Sequence, residues 1–228
     1  MIVRNLQSVR DRITTACIAA GRPPSSVKLL AVSKKFSADA LLDALAGGQL
    51  AFGENYIAEG ADKIATLHAH NELQWHCIGP IQSNKTRLVA ENFDWVQSVD
   101  RLKIAQRLSE QRPLHLPPLQ VCVQVNIDGG ANKSGVAPQE LTALLKDLIQ
   151  LPKIKLRGLM MIPEPAIDYE AACEVYSSAK VLFDQINAAG FLPDAMDTLS
   201  IGMTADLEAA IACGSTMVRV GTAIFGER

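Results

Sequence analysis

Short apolar segments alternate with amphipathic segments along the whole chain. Eight of the apolar segments are four to eight residues long, and several end at Gly, Pro or Asn, which is typical of buried β-strands. We predict a strand in each of these segments. They cover residues 27–33, 50–53, 73–78, 95–99, 119–126, 154–161, 198–201 and 216–220.

The segments between the predicted strands carry apolar residues at three- or four-residue spacing, which is the period of an amphipathic helix. One such helix precedes the first strand. Further helices are predicted after Asp100, a candidate N-cap, from Pro138 onward, over 171–186 and over 206–212. The apolar face of the first helix consists of Leu6, Val9, Ile13, Cys17 and Ala20.

The alternation of strands and helices is typical of a parallel sheet that is covered by helices. Eight strands can close into a barrel, and 228 residues is a common length for a compact one. An open doubly wound sheet has the same alternation, so the strand count alone does not exclude it. We predict one α/β domain over residues 1–228, a (β/α)8 TIM-type barrel with an extra N-terminal helix.

Composition narrows the possible partners and the compartment. The 22 basic and 24 acidic side chains nearly cancel, which argues against a nucleic-acid or anionic-membrane surface and favours a small-molecule partner. The five cysteines are scattered without a C-x-x-C pair, as expected in a reducing compartment. Apolar runs long enough to span a bilayer and an apolar signal core are both absent. We therefore expect a cytoplasmic protein.

Two lysines follow the first predicted strand. Ligands in parallel α/β folds bind at the carboxyl ends of the strands, where Lys34 and Lys35 are expected. Desolvation at a barrel mouth favours the neutral amine, which is the form that attacks an aldehyde to give an imine. Position alone favours a simpler interpretation, in which these lysines only mark the exit of the strand into solvent.

The last predicted strand adds a candidate anion site. Arg219 lies in a hydrophobic strand and needs a buried partner. Gly221 and Thr222 follow where barrels commonly bind phosphate through backbone N–H groups, a hydroxyl and a short helix. The preceding strand runs into a second turn of small and hydroxyl residues at 200–204. Two adjacent turns favour an anion site, although Ser and Thr more often cap helices.

No metal site is predicted, and no catalytic residue is assigned. His68 and His70 are two residues apart in a predicted loop, so they share no helical face. His76 alternates with apolar neighbours, which is typical of a buried strand histidine whose hydrogen bonds are satisfied.

Seven sequence blocks occur in a fixed order along the chain: Ala-Val-Ser-Lys (31–34), Phe-Gly-Glu-Asn-Tyr (52–56), Trp-His-Cys-Ile-Gly-Pro-Ile-Gln-Ser-Asn-Lys (75–85), Lys-Ser-Gly (133–135), Arg-Gly-Leu-Met (157–160), Leu-Ser-Ile-Gly-Met (199–203) and Arg-Val-Gly-Thr-Ala-Ile-Phe-Gly (219–226). In this order they resemble the pyridoxal phosphate homeostasis proteins, also called the proline synthase co-transcribed homologues. The resemblance covers essentially the whole chain. It implies a single-domain (β/α)8 barrel similar to the N-terminal domain of alanine racemase.

The resemblance also implies the residues that bind pyridoxal 5'-phosphate (PLP). The lysine that forms the covalent Schiff base corresponds to Lys34, and the arginine beside the pyridine nitrogen corresponds to Arg219. The other implied residues are Ser200, Gly221 and Thr222 at the phosphate, Gly202 and Met203 as backbone contacts there, and Asn55 near the ring.

The chain departs from the family pattern directly after Lys34. Many members read Val-Ser-Lys-Thr-Lys-Pro, whereas this chain continues with Lys35, Phe36 and Ser37. The second lysine is therefore displaced, which puts any role of it in cofactor transfer in doubt. Lys133 could form an auxiliary site, but an exposed loop lysine is the simpler interpretation.

Two functions of different class follow from this site. An arginine can only donate to a pyridine nitrogen, so it weakens PLP as an electron sink, although racemases of this barrel type work with an arginine there. A racemase also needs a second acid or base, which related racemases take from a C-terminal β domain that we expect to be absent here. We expect a monomeric, non-catalytic protein that binds PLP for intracellular vitamin B6 homeostasis and buffers it or delivers it to apo PLP-dependent enzymes. The alternative is a small PLP-dependent amino-acid racemase with Lys34 as one base. A metal- or phosphate-sugar barrel enzyme is disfavoured, since its ligand constellation is missing.

Overall fold

A closed barrel of parallel strands forms the centre of the molecule. The computed structural model describes residues 1–130 and 134–226. Within them each strand pairs with the next, and the last pairs with the first, so the open doubly wound sheet is excluded. All eight predicted strands are confirmed, with ends that differ by two residues or fewer. They are β1 (Lys28–Val32), β2 (Ala51–Glu54), β3 (Gln74–Cys77), β4 (Trp95–Val99), β5 (Leu119–Gln124), β6 (Ile154–Met160), β7 (Thr198–Ser200) and β8 (Met217–Val220).

Helices connect the strands and cover the outside of the barrel. In the described residues they are α1 (Ile2–Ala19), α2 (Ala38–Ala46), α3 (Ile57–Thr66), α4 (Thr86–Asn92), α5 (Leu102–Gln111), α6 (Pro138–Leu148), α7 (Tyr169–Ala188), α8 (Leu207–Ala212) and α9 (Thr222–Phe225). Single 3-10 turns lie at Pro24–Ser26 and Ser83–Lys85. None of these helices is both long and apolar enough to cross a bilayer.

The predicted cap of α5 is wrong. Asp100 lies two residues before the helix, and the N-cap position is occupied by Arg101, whose side chain makes no capping hydrogen bond. The Asp100 carboxylate instead accepts a hydrogen bond of 2.8 Å from the Arg101 guanidinium. The Asp100 side chain thus pairs with the Arg101 guanidinium and does not cap a backbone N–H of α5.

The extra N-terminal helix α1 packs against α2, α8 and α9. Four of its five predicted apolar residues, all except Ala20, are buried. Two polar side chains of α1 bind the turns that follow β7 and β8. Arg12 donates to the carbonyl oxygen of Thr204 at 3.0 Å, and Asn5 donates to that of Ile224 at 3.0 Å. This helix therefore braces the carboxyl ends of the last two strands from outside.

The barrel interior contains a buried histidine, His76, on β3. Its ring stacks on Trp95 with the centroids 5.0 Å apart, and Nδ1 lies 3.0 Å from the amide nitrogen of Gln97. Nε2 has no hydrogen-bond partner among the described residues, so the prediction that the hydrogen bonds of this histidine are satisfied is wrong for one nitrogen. Burial lowers the pKa of His76 to about 3, so the folded protein holds it neutral.

We expect the free energy of unfolding to fall with acidification because of His76. Below its unfolded pKa of 6.5 the unfolded chain binds a proton that the folded chain does not take up until about pH 3. Each pH unit in this window costs about 1.4 kcal/mol, or about 2 kcal/mol between pH 6.5 and 5. Urea unfolding of His76→Phe, which keeps an aromatic ring beside Trp95, checks this: its pH slope should be flatter. The exposed-site variant His68→Phe should keep the wild-type slope, and an unchanged slope in His76→Phe would contradict the assignment.

Candidate functional site

A cavity of about 310 Å³ opens at the carboxyl ends of the barrel strands. Larger cavities occur elsewhere, including a groove of about 490 Å³ along α1 and α8 on the outside of the barrel and one of about 390 Å³ at the amino ends of the strands. The cavity brings together six of the eight residues that the sequence predicted: Lys34, Asn55, Met203, Arg219, Gly221 and Thr222. Its other lining residues are Val32, Ile78, Ile162, Thr204 and Ala205, which the sequence did not single out as site residues.

The structure distinguishes the two lysines after β1. Lys34 is half-buried and lines the cavity, whereas Lys35 is exposed and its Nζ lies 5.8 Å from the centre of the Tyr56 ring. The two are the central residues of a tight turn, in which the N–H of Phe36 donates to the carbonyl of Ser33 at 3.1 Å. Within this turn Lys35 has a φ of 66°, a left-handed conformation that costs a non-glycine residue roughly 1–2 kcal/mol.

A buried ion-pair network holds this turn from below. Lys63 on α3 is only 6% exposed, and its Nζ lies 2.7 Å from a carboxylate oxygen of Glu54 and 2.7 Å from one of Glu59. The same ammonium donates to the carbonyl of Ser33 at 2.7 Å, and Glu59 accepts the N–H of Lys35. The network therefore contacts the residues on both sides of Lys34. Burial raises the pKa of Glu54 more than its contacts with Lys63 and Ser33 lower it.

Arg219 forms the floor of the cavity. Its guanidinium donates to the carbonyl oxygens of Ser200 at 2.6 Å and Met161 at 2.8 Å, and to the Ser200 hydroxyl at 2.8 Å. These acceptors satisfy the predicted need of a buried arginine for partners. Burial lowers the pKa of Arg219 to about 10, so the group stays protonated at neutral pH. It can donate hydrogen bonds to a ligand and cannot accept them.

Two predicted residues, Ser200 and Gly202, are not on the cavity wall. The Ser200 side chain is fully buried in the barrel, where it donates to Gln97 at 2.7 Å and accepts from Arg219. Gly202 has a φ of +92°, and an added Cβ would lie 2.4 Å from the Cβ of Ala210. Its carbonyl accepts the N–H of Arg219 at 3.0 Å. Both residues thus contact Arg219 in this geometry, and their predicted role at the phosphate stays a prediction.

The turns after β7 and β8 present hydroxyls to the cavity. Thr222 Oγ1 lies 3.4 Å from Thr204 Oγ1, so one hydroxyl from each turn reaches the same place. Thr222 also begins α9 and follows Gly221. The backbone N–H of Met203 donates to the Asp206 carboxylate at 2.6 Å, and its contact with a phosphate stays a prediction. Asp206 in turn accepts the Tyr176 hydroxyl at 2.7 Å.

Asn55 follows β2 and lies on the cavity wall. In the described part of the chain its buried side-chain oxygen has no hydrogen-bond partner. The backbone at Asn55 is tightly placed, since a Cβ added to Gly79 would lie 2.1 Å from the Asn55 carbonyl oxygen. An unsatisfied buried acceptor beside a cavity is a position where a ligand donor is favourable.

Two predictions concern positions outside this cavity. Lys133 lies outside the described residues, so its proposed auxiliary role stays a prediction. Among residues 1–130 and 134–226, no three His, Cys, Asp or Glu side chains are grouped so that they could hold a metal ion.

Comparisons with known proteins agree with the barrel and its motifs. The model of the alanine racemase N-terminal domain family matches residues 4–228. The pyridoxal phosphate homeostasis protein of Vibrio cholerae is 53% identical over 230 residues, which cover 100% of this chain and 96% of the relative. That of Pseudomonas aeruginosa is 54% identical over 227 residues, with the same coverage. The chain belongs to the pyridoxal phosphate homeostasis protein family. The two relatives carry that name and not the name of a racemase, so the racemase alternative is not supported.

A solved structure links this family to a ligand. PipY of Synechococcus elongatus, solved with PLP bound, is 35% identical to this chain with a TM-score of 0.86. The match covers 99% of this chain and 100% of PipY. The (β/α)8 fold expected from the resemblance is thereby confirmed within the pyridoxal phosphate homeostasis protein family.

Proposed function

We propose that this chain binds PLP in the cavity through a Schiff base to Lys34 and holds it for vitamin B6 homeostasis without turnover of amino acids. The observation that carries the proposal is one cavity that combines an amine, a permanently charged donor and two hydroxyls, contributed by opposite ends of the sequence. These are Lys34, Arg219, Thr204 and Thr222. The family membership and the PLP-bound PipY structure support the same ligand.

The residues present fit the group. A volume of about 310 Å³ is at the lower end of small-ligand cavities, which span about 300–1,000 Å³. In its neutral form the Lys34 amine would attack the aldehyde carbon, and the condensation would form one C=N bond and release one water. The unsatisfied oxygen of Asn55 offers an acceptor to a donor on the ring, and the hydroxyls of Thr204 and Thr222 can donate to the phosphate.

The electrostatics of the site favour binding over catalysis. When bound, PLP supplies an electron sink that is strongest with a protonated ring nitrogen. Arg219 can only donate to that nitrogen, so it does not stabilise the protonated form. Among the described lining residues, Lys34 and Arg219 are the ionisable groups, and neither a carboxylate nor a phenol is present as a second acid or base. A racemase needs such a group on the opposite face of its substrate.

Transfer of PLP to an apo enzyme tests the proposed function. The loaded protein is mixed with a PLP-dependent apo enzyme in the presence of a scavenger for free PLP, and recovery of the enzyme's activity is followed. We expect activation from the loaded wild-type protein, which should act in the cytoplasm as a monomer, and none from protein whose bound PLP has been fixed by borohydride. If the scavenger abolishes activation, the protein releases PLP into solution and does not deliver it directly. That result would overturn the delivery role and leave only the storage of PLP. In a parallel assay, α-proton exchange of amino acids in deuterated water that disappears in Lys34→Ala would overturn the non-catalytic assignment.

The hydroxyl of Thr222 is expected to contribute to phosphate binding. In Thr222→Val the shape is retained while one donor at the start of α9 is lost. A hydrogen bond to a charged group is worth about 1.5–3 kcal/mol, so we expect the Kd for PLP to rise by about ten- to a hundredfold. Fluorescence titration measures this. Pyridoxal, which lacks the phosphate, should bind both proteins equally, and an equal loss for both ligands would contradict a phosphate contact.

A further inference from the structure

A chain of buried hydrogen bonds runs from the cavity floor across the inside of the barrel. Gln97 on β4 is completely buried. Its Oε1 accepts from Ser200 Oγ at 2.7 Å, and its Nε2 lies 3.0 Å from His76 Nδ1 and 3.2 Å from the sulfur of Met217. Ser200 Oγ in turn accepts from Arg219 Nη1 at 2.8 Å. One amide thus connects β3 and β4 to the floor of the cavity.

The direction of every bond in this chain follows from its charged end. Arg219 can only donate, so Ser200 Oγ accepts a hydrogen bond from it and donates its own hydrogen bond to Gln97. That fixes Gln97 with its oxygen toward Ser200 and its NH2 toward His76. His76 Nδ1 must therefore accept, which places the imidazole proton on Nε2, an atom that has no hydrogen-bond partner among the described residues. All members point the same way, and such aligned hydrogen bonds strengthen one another.

Each link has few alternatives in this environment. Ser200, Gln97 and His76 are each 1% exposed or less, so water does not replace a lost partner easily. Without the Gln97 oxygen, the Ser200 proton would turn to another acceptor. The Ser200 hydroxyl, which is one of two acceptors of Arg219 Nη1 beside the Ser200 carbonyl at 2.6 Å, would then no longer be held in this orientation. The guanidinium has to be held in one orientation to direct an N–H into the cavity, and such alignment by a supporting layer of residues is what a precise site requires.

We infer that Gln97 is a positioning residue of the cofactor site, which orients the Arg219 guanidinium through Ser200 and is itself oriented by His76. The inference rests on the proposed function only for the identity of the ligand above Arg219. The hydrogen-bond chain is a property of the protein without ligand.

The polarity of the chain is tested without PLP. Nitrogen-15 NMR of the ligand-free protein reports the tautomer of each histidine and the exchange rate of arginine side-chain protons. We expect His76 to carry its proton on Nε2 throughout about pH 5–8, where a free imidazole titrates. We also expect exchange at the Arg219 guanidinium to be slow in the wild type and at least about tenfold faster in Gln97→Met. A proton on Nδ1 of His76, or unchanged Arg219 exchange, would overturn the inference whether or not PLP binds.

The second test measures the affinity for PLP in Gln97→Met, with Ser98→Ala as the matched control. Ser98 is the next residue on β4, is buried, and donates a hydrogen bond of 2.6 Å to the Gly79 carbonyl outside the chain. We expect Gln97→Met to weaken PLP binding about tenfold, which corresponds to one buried hydrogen bond. Borohydride labelling should stay on the same lysine as in the wild type. Ser98→Ala should lose stability without a change in PLP affinity or in Arg219 exchange. Equal losses of PLP affinity in both variants would show that Gln97 has only a structural role and would overturn the inference. A wild-type protein that binds no PLP would overturn the proposed function instead.

Discussion

Lys34→Ala is expected to lose covalent PLP completely, while Lys35→Ala retains it. Only Lys34 of this pair lines the cavity, whereas Lys35, the next residue of the same turn, is exposed and lies near the Tyr56 ring. Without the amine no Schiff base can form, and the remaining contacts hold PLP only non-covalently. The visible absorbance of each variant after incubation with PLP and gel filtration measures the outcome.

The matched pair makes this result specific. Both variants remove one cation from the same turn, so a general electrostatic effect would weaken PLP binding in both. Lys35→Ala also leaves a non-glycine residue at a φ of 66°, so its stability should stay close to that of the wild type. A Lys34→Ala protein that keeps the wild-type absorbance, or a Lys35→Ala protein that loses it, would contradict the site.

The second large effect is expected in Lys63→Met, which should lose about 3–5 kcal/mol of unfolding free energy. The methionine fills similar space but removes the only ammonium shown between Glu54 and Glu59 in the described residues. Glu54 is 1% exposed and its second carboxylate oxygen already lacks a partner among these residues, so its charge would be left buried and uncompensated. Chemical denaturation of the ligand-free protein measures the loss.

Two controls separate this network from ordinary ion pairs. Arg87→Met removes an exposed i,i+4 pair with Glu91 and should cost only about 0.3–0.5 kcal/mol. Combining Lys63→Met with Glu54→Leu removes both charges and should restore part of the stability, since buried ion pairs can often be replaced by apolar residues. If Lys63→Met costs no more than Arg87→Met, the network does not hold the turn around Lys34.

The barrel could be predicted from sequence because its signal is local. Each strand is a short apolar run, and β4 is found at the predicted residues, Trp95–Val99. The cap at Asp100 failed because a carboxylate next to an arginine has two possible partners, and the pattern of residue types does not say which one wins.

Only those residues of the site that directly follow a predicted strand could be placed from the sequence. Lys34 and Thr222 follow strands directly, and they do line the cavity. The choice between Lys34 and Lys35 depends on a left-handed φ that no propensity signals for lysine. Ser200 was expected at the phosphate, but it is the last residue of β7 and its side chain enters the barrel, where Arg219 binds it.

The residues that support Arg219, namely Gln97 and His76, could not be predicted from the sequence for a different reason. Gln97 and His76 contact partners on other strands across the barrel, and the register between strands that fixes these contacts has no local signal. Thr204 was predicted in part. Its hydroxyl belongs to the predicted turn at 200–204, and its distance of 3.4 Å from the Thr222 hydroxyl needs both turns in place.

Borohydride reduction followed by peptide mapping tests the central claim most directly. The wild-type protein is incubated with PLP, reduced, digested and analysed by mass spectrometry, with unreduced protein alongside. We predict a stable phosphopyridoxyl label at Lys34, present in stoichiometric amount and absent from the unreduced sample. A protein that takes up no label, or that carries its label on other lysines and leaves Lys34 unmodified, would contradict the account.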